Sequence, residues 1–178
     1  MSIEALRDRL PAYAKDLGLN LVALAGETTL SEQQKWGTFV AAAYAIGQKD
    51  VVREINTAAE AFGVSNEALT AARTAAAVVG MNNVYYRSLH LISNPEYRAL
   101  PARLRMHAIA NPGVDKADFE LWSFAVSALN GCGLCLDSHE RELRKLEVPA
   151  VSVQAALRIA AVVDAVSRVL AAEKAAEG

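Results

Sequence analysis

The amino-acid sequence predicts an all-α protein, and three observations support this fold class. Alanine supplies 35 of the 178 residues, and it is the best helix former because it loses no side-chain entropy in a helix. Helix breakers are scarce, with 5 prolines and 10 glycines. Apolar residues recur at helical spacing, and no segment convincingly indicates a strand. We therefore expect a multi-helix bundle in which residues 1–178 form a single domain.

The first predicted helical region runs from Ser2 towards Leu17. We expect Pro11 to break or kink it, because proline lacks the amide donor and clashes with the preceding turn. An apolar stretch then continues to Leu24, and Gly26 closes it.

Side-chain caps predict the next two helices. Ser31 and Gln34 match the capping-box pattern for a helix that ends near Ile46. Asp50 is expected to cap the following helix, which ends near Gly63.

A longer helical pattern begins at Ser65. We expect it to bend at Gly80 and to resume to about Ile92. The segment that follows is predicted to be a connection, because proline and glycine interrupt helices. Its turn signals are Asn94-Pro95, Leu100-Pro101 and Asn111-Pro112-Gly113.

Three helices are predicted after this connection. Asp115 caps the first, which ends at Asn130-Gly131 because glycine is the usual left-handed residue after a helix. The second opens at Cys132 and stops before Pro149. The third begins at Ser152 and runs to about Lys174.

Sequence similarity between the two halves, about 1–90 and 91–178, predicts an internal duplication. Trp36 and its neighbours align with Trp122 and its neighbours. The alternative is coincidence, which an alanine-rich sequence makes easy. Only the second half contains cysteines, so only that half can support thiol chemistry.

Charge and hydropathy argue against several function classes. The net charge is −2, from 18 scattered basic and 20 acidic residues, whereas a general nucleic-acid binder needs a concentrated basic face. No segment reaches the roughly 18 apolar residues of a membrane span, and the first residues lack the order of a signal peptide. We expect a cytoplasmic protein with neither nucleic acid nor membrane as a partner. Such a compartment keeps cysteines reduced.

The chemistry-bearing residues are Cys132, Cys135 and His139, spaced i, i+3 and i+7 on one face of a predicted helix. Cys132 is at the helix N-terminus, where the helix dipole stabilises a thiolate. An imidazole can exchange protons near neutral pH. A dithiol beside a base is what reversible thiol–disulfide exchange needs.

Two other interpretations of the cysteines remain open. They could be half of a zinc site, although tetrahedral zinc wants four ligands and only His139, His90 and His107 are left to complete it. They could also be buried residues that only pack. We interpret His90 and His107 as structural.

Glu120 and His139 are nearly equidistant from the Asn130-Gly131 turn. If the two helices fold back antiparallel, Glu120 could orient His139 or exchange protons with the thiols. The rise of about 1.5 Å per residue brings Cys135 within reach of His139, whereas Cys132 would need a bend, a bridging water or a different helix crossing. The alternative for Glu120 is a solvated first-turn carboxylate, which the helix dipole favours.

Residues 118–140 closely resemble the active-site region of the alkyl hydroperoxidase D (AhpD) family, which is related to the carboxymuconolactone decarboxylases. Further similarity lies in residues 2–4, 13–16, 80–84 and 109–113. The Glu-x₁₁-Cys-x₂-Cys-x₃-His pattern is much more specific than a lone Cys-x₂-Cys. The resemblance implies an all-helical, antioxidant thiol peroxidase that commonly forms homotrimers and has no bound cofactor or metal.

The resemblance also implies a role for each residue. Cys135 would form the sulfenic acid, or the mixed disulfide with the partner peroxiredoxin, alkyl hydroperoxide reductase C. Cys132 would be the proton donor and resolving thiol, and Glu120 and His139 the proton relay. Electrons would come from dihydrolipoamide on a lipoyl-bearing dihydrolipoamide acyltransferase. The family often has Ser-His where this chain has Gly133-Leu134, so no histidine lies between the cysteines to act as a secondary relay or to tune the thiols.

Two other function classes remain as alternatives. The chain could be a non-enzymatic helical assembly or binding module that uses the fold as a scaffold. It could also be an enzyme like the carboxymuconolactone decarboxylases, whose chemistry has no need for a dithiol.

Overall fold

The computed structural model describes residues 2–177, and every regular element in that range is helical. The all-α prediction is confirmed. A 3₁₀ helix, Ala12–Ala14, precedes the second α-helix. The α-helices are α1 (Ser2–Arg7), α2 (Lys15–Ala25), α3 (Glu32–Ile46), α4 (Lys49–Ala61), α5 (Asn66–Leu91), α6 (Glu96–Ala99), α7 (His107–Ala110), α8 (Lys116–Leu129), α9 (Gly133–Lys145) and α10 (Ala150–Ala176). Within residues 2–177, no helix combines the length and hydropathy needed to cross a bilayer.

Three of the predicted caps are present. Ser31 accepts a hydrogen bond from the Gln34 amide while the Gln34 side chain accepts one from the Ser31 amide, which completes the capping box of α3. Ser65 caps α5, and Asp115 caps α8. Each cap satisfies an amide that the first helical turn leaves without a partner.

The helical region predicted from Ser2 towards Leu17 is broken around Pro11, as expected, but its first helix is shorter than predicted. α1 ends at Arg7, and Leu17 belongs to α2, which begins at Lys15. Pro11 has an extended backbone, with ψ at 162°, and lies before the 3₁₀ helix. Proline fits the start of a helical segment, where its missing N–H is not needed.

The predicted cap of α4 is also wrong. Gln48, not Asp50, is the N-cap, and its side chain accepts a 2.7 Å hydrogen bond from the Val51 amide. Asp50 lies in the first turn and accepts a 2.8 Å hydrogen bond from Arg9. The local pattern predicted that Asp50 caps α4, but its side chain instead binds Arg9, which is distant in sequence.

The last helix begins earlier than predicted. α10 starts at Ala150, directly after Pro149, so Ser152 lies inside the helix rather than at its cap. The buried Ser152 hydroxyl instead donates a 2.8 Å hydrogen bond to the Thr29 carbonyl oxygen. This bond ties the first turn of α10 to the loop before α3.

The middle of the chain differs from the prediction in two further ways. α5 continues without interruption through Gly80, so the helix does not stop and resume there as we expected; the bend at Gly80 stays a prediction. A mid-helix glycine costs only about 1 kcal/mol relative to alanine, which the packing of a long helix outweighs. The predicted connection before Asp115 contains the two short helices α6 and α7.

Helices α3 and α8 pack against each other at the centre of the bundle, and α5 and α10 pack on both of them. Trp36 and Trp122 are fully buried at this contact. The Trp122 indole N–H donates a 3.2 Å hydrogen bond to the Gln34 carbonyl oxygen. A Cβ atom at Gly37 would lie 2.2 Å from the Trp122 ring. Gly37 thus permits the close approach that fixes α8, the helix that carries Glu120.

Candidate active site

The predicted chemistry-bearing residues lie on an αα-hairpin formed by α8 and α9. Gly131 makes the turn with φ at +60°, a left-handed conformation that glycine adopts without steric cost. Cys132 follows as the N-cap residue of α9. Its amide donates a 3.1 Å hydrogen bond to the Ser127 carbonyl oxygen, and its own carbonyl accepts from the Leu136 amide. The main chain therefore holds Cys132 on both sides.

Cys132 and Cys135 form a disulfide, with their Cα atoms 5.2 Å apart. The two sulfur-bearing residues differ in exposure: Cys132 is 0% exposed and Cys135 is 8% exposed. Only Cys135 lines the cavity of about 420 Å³ beside α9. A small molecule that enters this cavity therefore meets Cys135, while Cys132 lies behind it.

The hairpin brings Glu120 and His139 together. The Glu120 carboxylate oxygen Oε2 lies 2.7 Å from His139 Nδ1. Glu120 is only 6% exposed, so the alternative of a solvated first-turn carboxylate does not describe it. A carboxylate can only accept a hydrogen bond, so Nδ1 is the donor and carries the proton. In the neutral form of the ring, Nε2 is then the nitrogen that can accept a proton.

His139 follows Cys135 by one helical turn, so both side chains lie on the same face of α9. Both line the same cavity, together with Glu120. The geometry thus brings three of the four predicted residues to one wall, with Cys132 joined to them through the disulfide.

An exposed ion-pair cluster links α8 and α9 at the edge of this cavity. Glu142 accepts hydrogen bonds from Lys145, at 2.6 Å, and from Lys116, at 3.0 Å. The hydrogen bond from Lys145, which has the largest effect, and the one from Lys116 lower the pKa of the Glu142 carboxyl to about 2. Lys116 is the first residue of α8, and Glu142 lies near the end of α9. Their ion pair therefore joins the two helices at the end of the hairpin opposite the turn.

Sequence reasoning missed the contribution of α5, which supplies Asn82, Asn83 and Tyr86 to the cavity wall. Asn83 is fully buried; it donates to the Ser127 hydroxyl and accepts from the Asn130 side chain. A signal was available, because two adjacent asparagines interrupt an otherwise largely apolar part of the sequence. Because these asparagines are distant from the cysteines in sequence, local patterns could not show that they line the same cavity.

Apolar side chains complete the cavity. Ile109, Leu134 and Tyr86 line it beside the polar groups of α8 and α9. Leu134, between the two cysteines, is half exposed. The cavity therefore offers an apolar surface next to a disulfide sulfur and a carboxylate–imidazole pair, a combination typical of sites for small organic ligands.

His90 and His107 lie outside this site. Both are exposed, on α5 and α7, and neither lines the cavity. In the described part of the chain, no three His, Cys, Asp or Glu side chains are grouped so that they could hold a metal ion.

Known proteins resemble this chain over nearly its whole length. The family model for the carboxymuconolactone decarboxylase family matches residues 95–178, a segment that contains the whole hairpin. "Alkyl hydroperoxide reductase AhpD" of Maricaulis maris is 62% identical over 173 residues, which are 97% of this chain and 99% of that protein. The protein of the same name from Hyphomonas neptunium is 60% identical over 98% of this chain and 97% of its own. That from Streptomyces coelicolor is 56% identical over 97% of both.

Proposed function

The chain belongs to the alkyl hydroperoxide reductase AhpD family, and from this premise we propose that it is a dithiol enzyme that reduces alkyl hydroperoxides. One observation carries the proposal: the hydrogen-bonded Glu120–His139 pair and Cys135 line one cavity, and the fully buried Cys132 is bonded to Cys135. This arrangement contains a nucleophilic sulfur, a resolving sulfur and a group that can transfer protons.

The first half-reaction begins with both cysteines reduced. The Cys135 thiolate attacks the terminal oxygen of the hydroperoxide, and the O–O bond breaks. The sulfur is oxidised to a sulfenic acid, while the alkoxide takes a proton and leaves as the alcohol. Cys135 is the attacking residue because it lines the cavity and Cys132 is fully buried.

Resolution follows within the Cys-x₂-Cys segment. The Cys132 sulfur attacks the Cys135 sulfur, an S–S bond forms, and the sulfenic oxygen leaves as water with the proton from Cys132. The product is the disulfide of this structure. The two half-cystines are three residues apart at the start of α9, so no large movement of the chain is needed.

Glu120 and His139 are the proton relay in this proposal. With Nδ1 hydrogen-bonded to Glu120, His139 presents Nε2 as the atom that takes the thiol proton. The same atom returns a proton to the departing alkoxide. Glu120 holds the ring in this tautomer and stabilises the imidazolium that forms between the two transfers.

The disulfide is then reduced by a dithiol. We propose dihydrolipoamide as the donor: one of its thiolates attacks Cys135, and the second closes the lipoyl ring and releases both cysteines as thiols. The half-exposed Leu134 and its apolar neighbours suit the hydrocarbon part of such a donor. A lipoyl-bearing acyltransferase would deliver it in the cell.

The remaining expectations belong to the same proposal. The oxidised partner is a peroxiredoxin, alkyl hydroperoxide reductase C, whose disulfide can exchange with Cys135 in place of a free hydroperoxide. The working form is a cytoplasmic homotrimer. No cofactor or metal takes part, because the two cysteines carry both electrons.

Steady-state turnover tests the proposal. The protein is mixed with cumene hydroperoxide and excess dihydrolipoamide, and loss of hydroperoxide is followed. The matched control is the double variant C132S/C135S. We expect consumption that depends on both dihydrolipoamide and the cysteines. Equal consumption by wild type and control would show that the protein is not a peroxidase and would favour a non-enzymatic module.

A further inference from the structure

Two rows of side chains on α9 form one wall of the cavity beside the disulfide. Both rows have the spacing i, i+4 and i+7, and they consist of Cys135, His139 and Glu142 and of Leu134, Ser138 and Arg141. Residues three or four apart on a helix are neighbours on its surface, so each row is continuous. The first row contains the reacting sulfur and the imidazole of the relay. The second row ends in a guanidinium for which the proposed reaction has no role.

The charge of Arg141 has no partner in the described part of the chain. Its side chain is exposed and makes no hydrogen bond or ion pair within residues 2–177. Asp137, four residues earlier, has the usual spacing of a helical ion pair, yet the two side chains are not paired. Arg144, one turn later on the same helix, does pair, with Glu140. Arg141 is therefore the arginine of α9 whose charge is left for a ligand.

The two carboxylates of the cavity wall are both engaged elsewhere. Glu120 accepts a hydrogen bond from His139 at 2.7 Å. Glu142 accepts hydrogen bonds from Lys145 at 2.6 Å and from Lys116 at 3.0 Å, and neither lysine lines the cavity. Neither carboxylate pairs with the arginine, so the cavity contains one cationic side chain that no anion of the wall neutralises.

The other hydrogen-bond donors of the wall carry no charge. They are the side chains of Asn82, Asn83, Tyr86 and Ser138. Amides and hydroxyls can donate to a hydroxyl, an ester or a carboxylate alike. A guanidinium is permanently charged and matches a carboxylate with two parallel N–H donors. The arginine is therefore the group of this wall that distinguishes an acid from its neutral ester.

The position of Arg141 on the helix sets the size of a ligand that contacts it and the sulfur together. Arg141 follows Cys135 by six residues, which is about 9 Å along the helix axis. Helical side chains tilt towards the N-terminus, so the arginine starts over the turn that carries Ser138, on the side of the cysteines. A ligand that reaches both residues needs an apolar body several atoms long. Ile109 and Leu134 supply apolar surface in the same cavity.

We propose that Arg141 is a specificity-determining residue that binds a carboxylate of the substrate, so that the preferred substrates are organic hydroperoxides that carry an acid group. This inference rests on the peroxidase function proposed above. The hydroperoxide group lies at Cys135, the apolar body lies against Ile109 and Leu134, and the carboxylate pairs with the guanidinium. The carboxylate does not react. It orients the O–O bond towards the attacking sulfur, which raises the rate of oxidation.

Two probes that differ in charge test this specificity. They are cumene hydroperoxide with a carboxylate at the para position of its ring and the methyl ester of that acid. Reduced protein is mixed with each probe at low salt, quenched with an alkylating agent, and its free thiols are counted over time. The acid-to-ester ratio of rate constants should be about fivefold higher in wild type than in R141M, the upper end for an exposed ion pair. R141K should retain part of the preference, because it keeps the charge and loses the two-donor geometry.

A matched control and a salt series separate a local contact from the general field of the protein. R144M removes the same charge from the same helix, but Arg144 pairs with Glu140 and lies outside this cavity. It should keep the wild-type ratio. Higher salt should lower the ratio of wild type towards that of R141M, because ions screen an exposed pair.

The second half-reaction shows whether the carboxylate belongs to the electron donor instead. Dihydrolipoate and dihydrolipoamide also differ by one carboxylate, and each can be used to reduce the disulfide. We expect their ratio of rate constants to be the same in wild type and R141M. A change in the donor ratio without a change in the hydroperoxide ratio would assign Arg141 to the donor and overturn the inference.

The remaining outcomes are equally decisive. If wild type reacts with both hydroperoxides and R141M has the same acid-to-ester ratio, Arg141 does not bind the substrate, and the proposed function stands without it. An equal fall of the ratio in R144M would indicate long-range electrostatics and would also contradict the inference. Wild-type thiols that resist both hydroperoxides would overturn the proposed function and this inference with it.

Discussion

His139 Nδ1 and Glu120 Oε2 lie 2.7 Å apart, which joins two titratable side chains 19 residues apart across the α8–α9 hairpin. Both side chains are largely buried, at 8% and 16% exposure for Glu120 and His139. Burial strengthens such a hydrogen bond and fixes the orientation of the ring. The contact therefore engages Nδ1 of the ring and leaves Nε2 free of Glu120.

The relay predicts the behaviour of two conservative variants. E120Q and H139Q should each slow oxidation of the reduced protein by about 10²–10⁴-fold, the usual contribution of general acid–base help. The double variant should be little slower than either single one, because residues that act as a unit fail together. Free-thiol counting after rapid mixing with hydroperoxide measures all three rates.

The matched control for this relay is E140Q, which changes a glutamate on α9 that pairs with Arg144 outside the cavity. It should react as wild type does. H139Q should also raise the pH at which Cys135 becomes half-reactive towards an alkylating agent, since the proton acceptor is lost. Wild-type rates for E120Q at every pH would remove Glu120 from the relay.

Two glycine-to-alanine changes should alter the stability of the protein in opposite directions, because Gly37 lies at the α3–α8 contact and Gly80 on α5 has open space beside it. G37A places a Cβ atom 2.2 Å from the Trp122 ring, and it should destabilise the protein by about 1–3 kcal/mol, the usual cost of overpacking. G80A meets no atom within 4 Å and should stabilise the helix by up to about 1 kcal/mol. Urea unfolding measures both; a G37A protein as stable as wild type would contradict the packing described here.

The Arg9–Asp50 ion pair predicts a specific pH dependence. The hydrogen bond from Arg9 is the main cause that lowers the pKa of Asp50 from 3.8 to about 2. A lowered carboxyl pKa means that ionised Asp50 stabilises the fold. This stabilisation is fully present above about pH 3.8 and is lost as the pH falls through about 2. Because Arg9 is 43% exposed, the pair contributes less than about 1 kcal/mol.

Replacement of Arg9 by methionine tests this pair. R9M should raise the pKa of Asp50 towards its ordinary value, and carboxyl NMR titration measures that change. The stability difference from wild type should shrink as the pH falls from about 4 to about 2. R7M is the control, since Arg7 pairs with Asp8 instead. An unchanged Asp50 titration in R9M would show that Arg9 is not the cause.

The trimer of the proposed function predicts a mass in solution. Each chain has a mass of 19.0 kDa, so sedimentation equilibrium at micromolar concentration should give three times that value. A stable 19.0 kDa monomer under these conditions would refute the trimer.

Local patterns predicted much of the fold, because caps act over a few residues. Ser31, Ser65 and Asp115 cap helices as their spacing indicates. Asp50 and Ser152 do not, because their side chains bind partners that lie 41 and 123 residues away in sequence. Capping preferences alone cannot show such competition. The duplication of the two halves stays a prediction.

Helical spacing predicted only the part of the site that lies on one helix. Cys135 and His139 are four residues apart on one helix, so their common face follows from the helical period. The contact of Glu120 with His139 followed from the position of the Asn130-Gly131 turn. Asn82 comes from a different helix, and its place beside Cys135 depends on how α5 packs against α9.

Trapping of the intermediate at Cys135 tests the central claim most directly. The variant C132S retains the attacking thiol and removes the resolving one, so one equivalent of hydroperoxide should leave a sulfenic acid on Cys135, which a dimedone adduct identifies by mass spectrometry. C135S should react slowly, and neither variant should turn over with dihydrolipoamide, because one thiol cannot form the disulfide. Full turnover by either variant, or an adduct on Cys132 of C135S at the rate of Cys135, would contradict the dithiol mechanism.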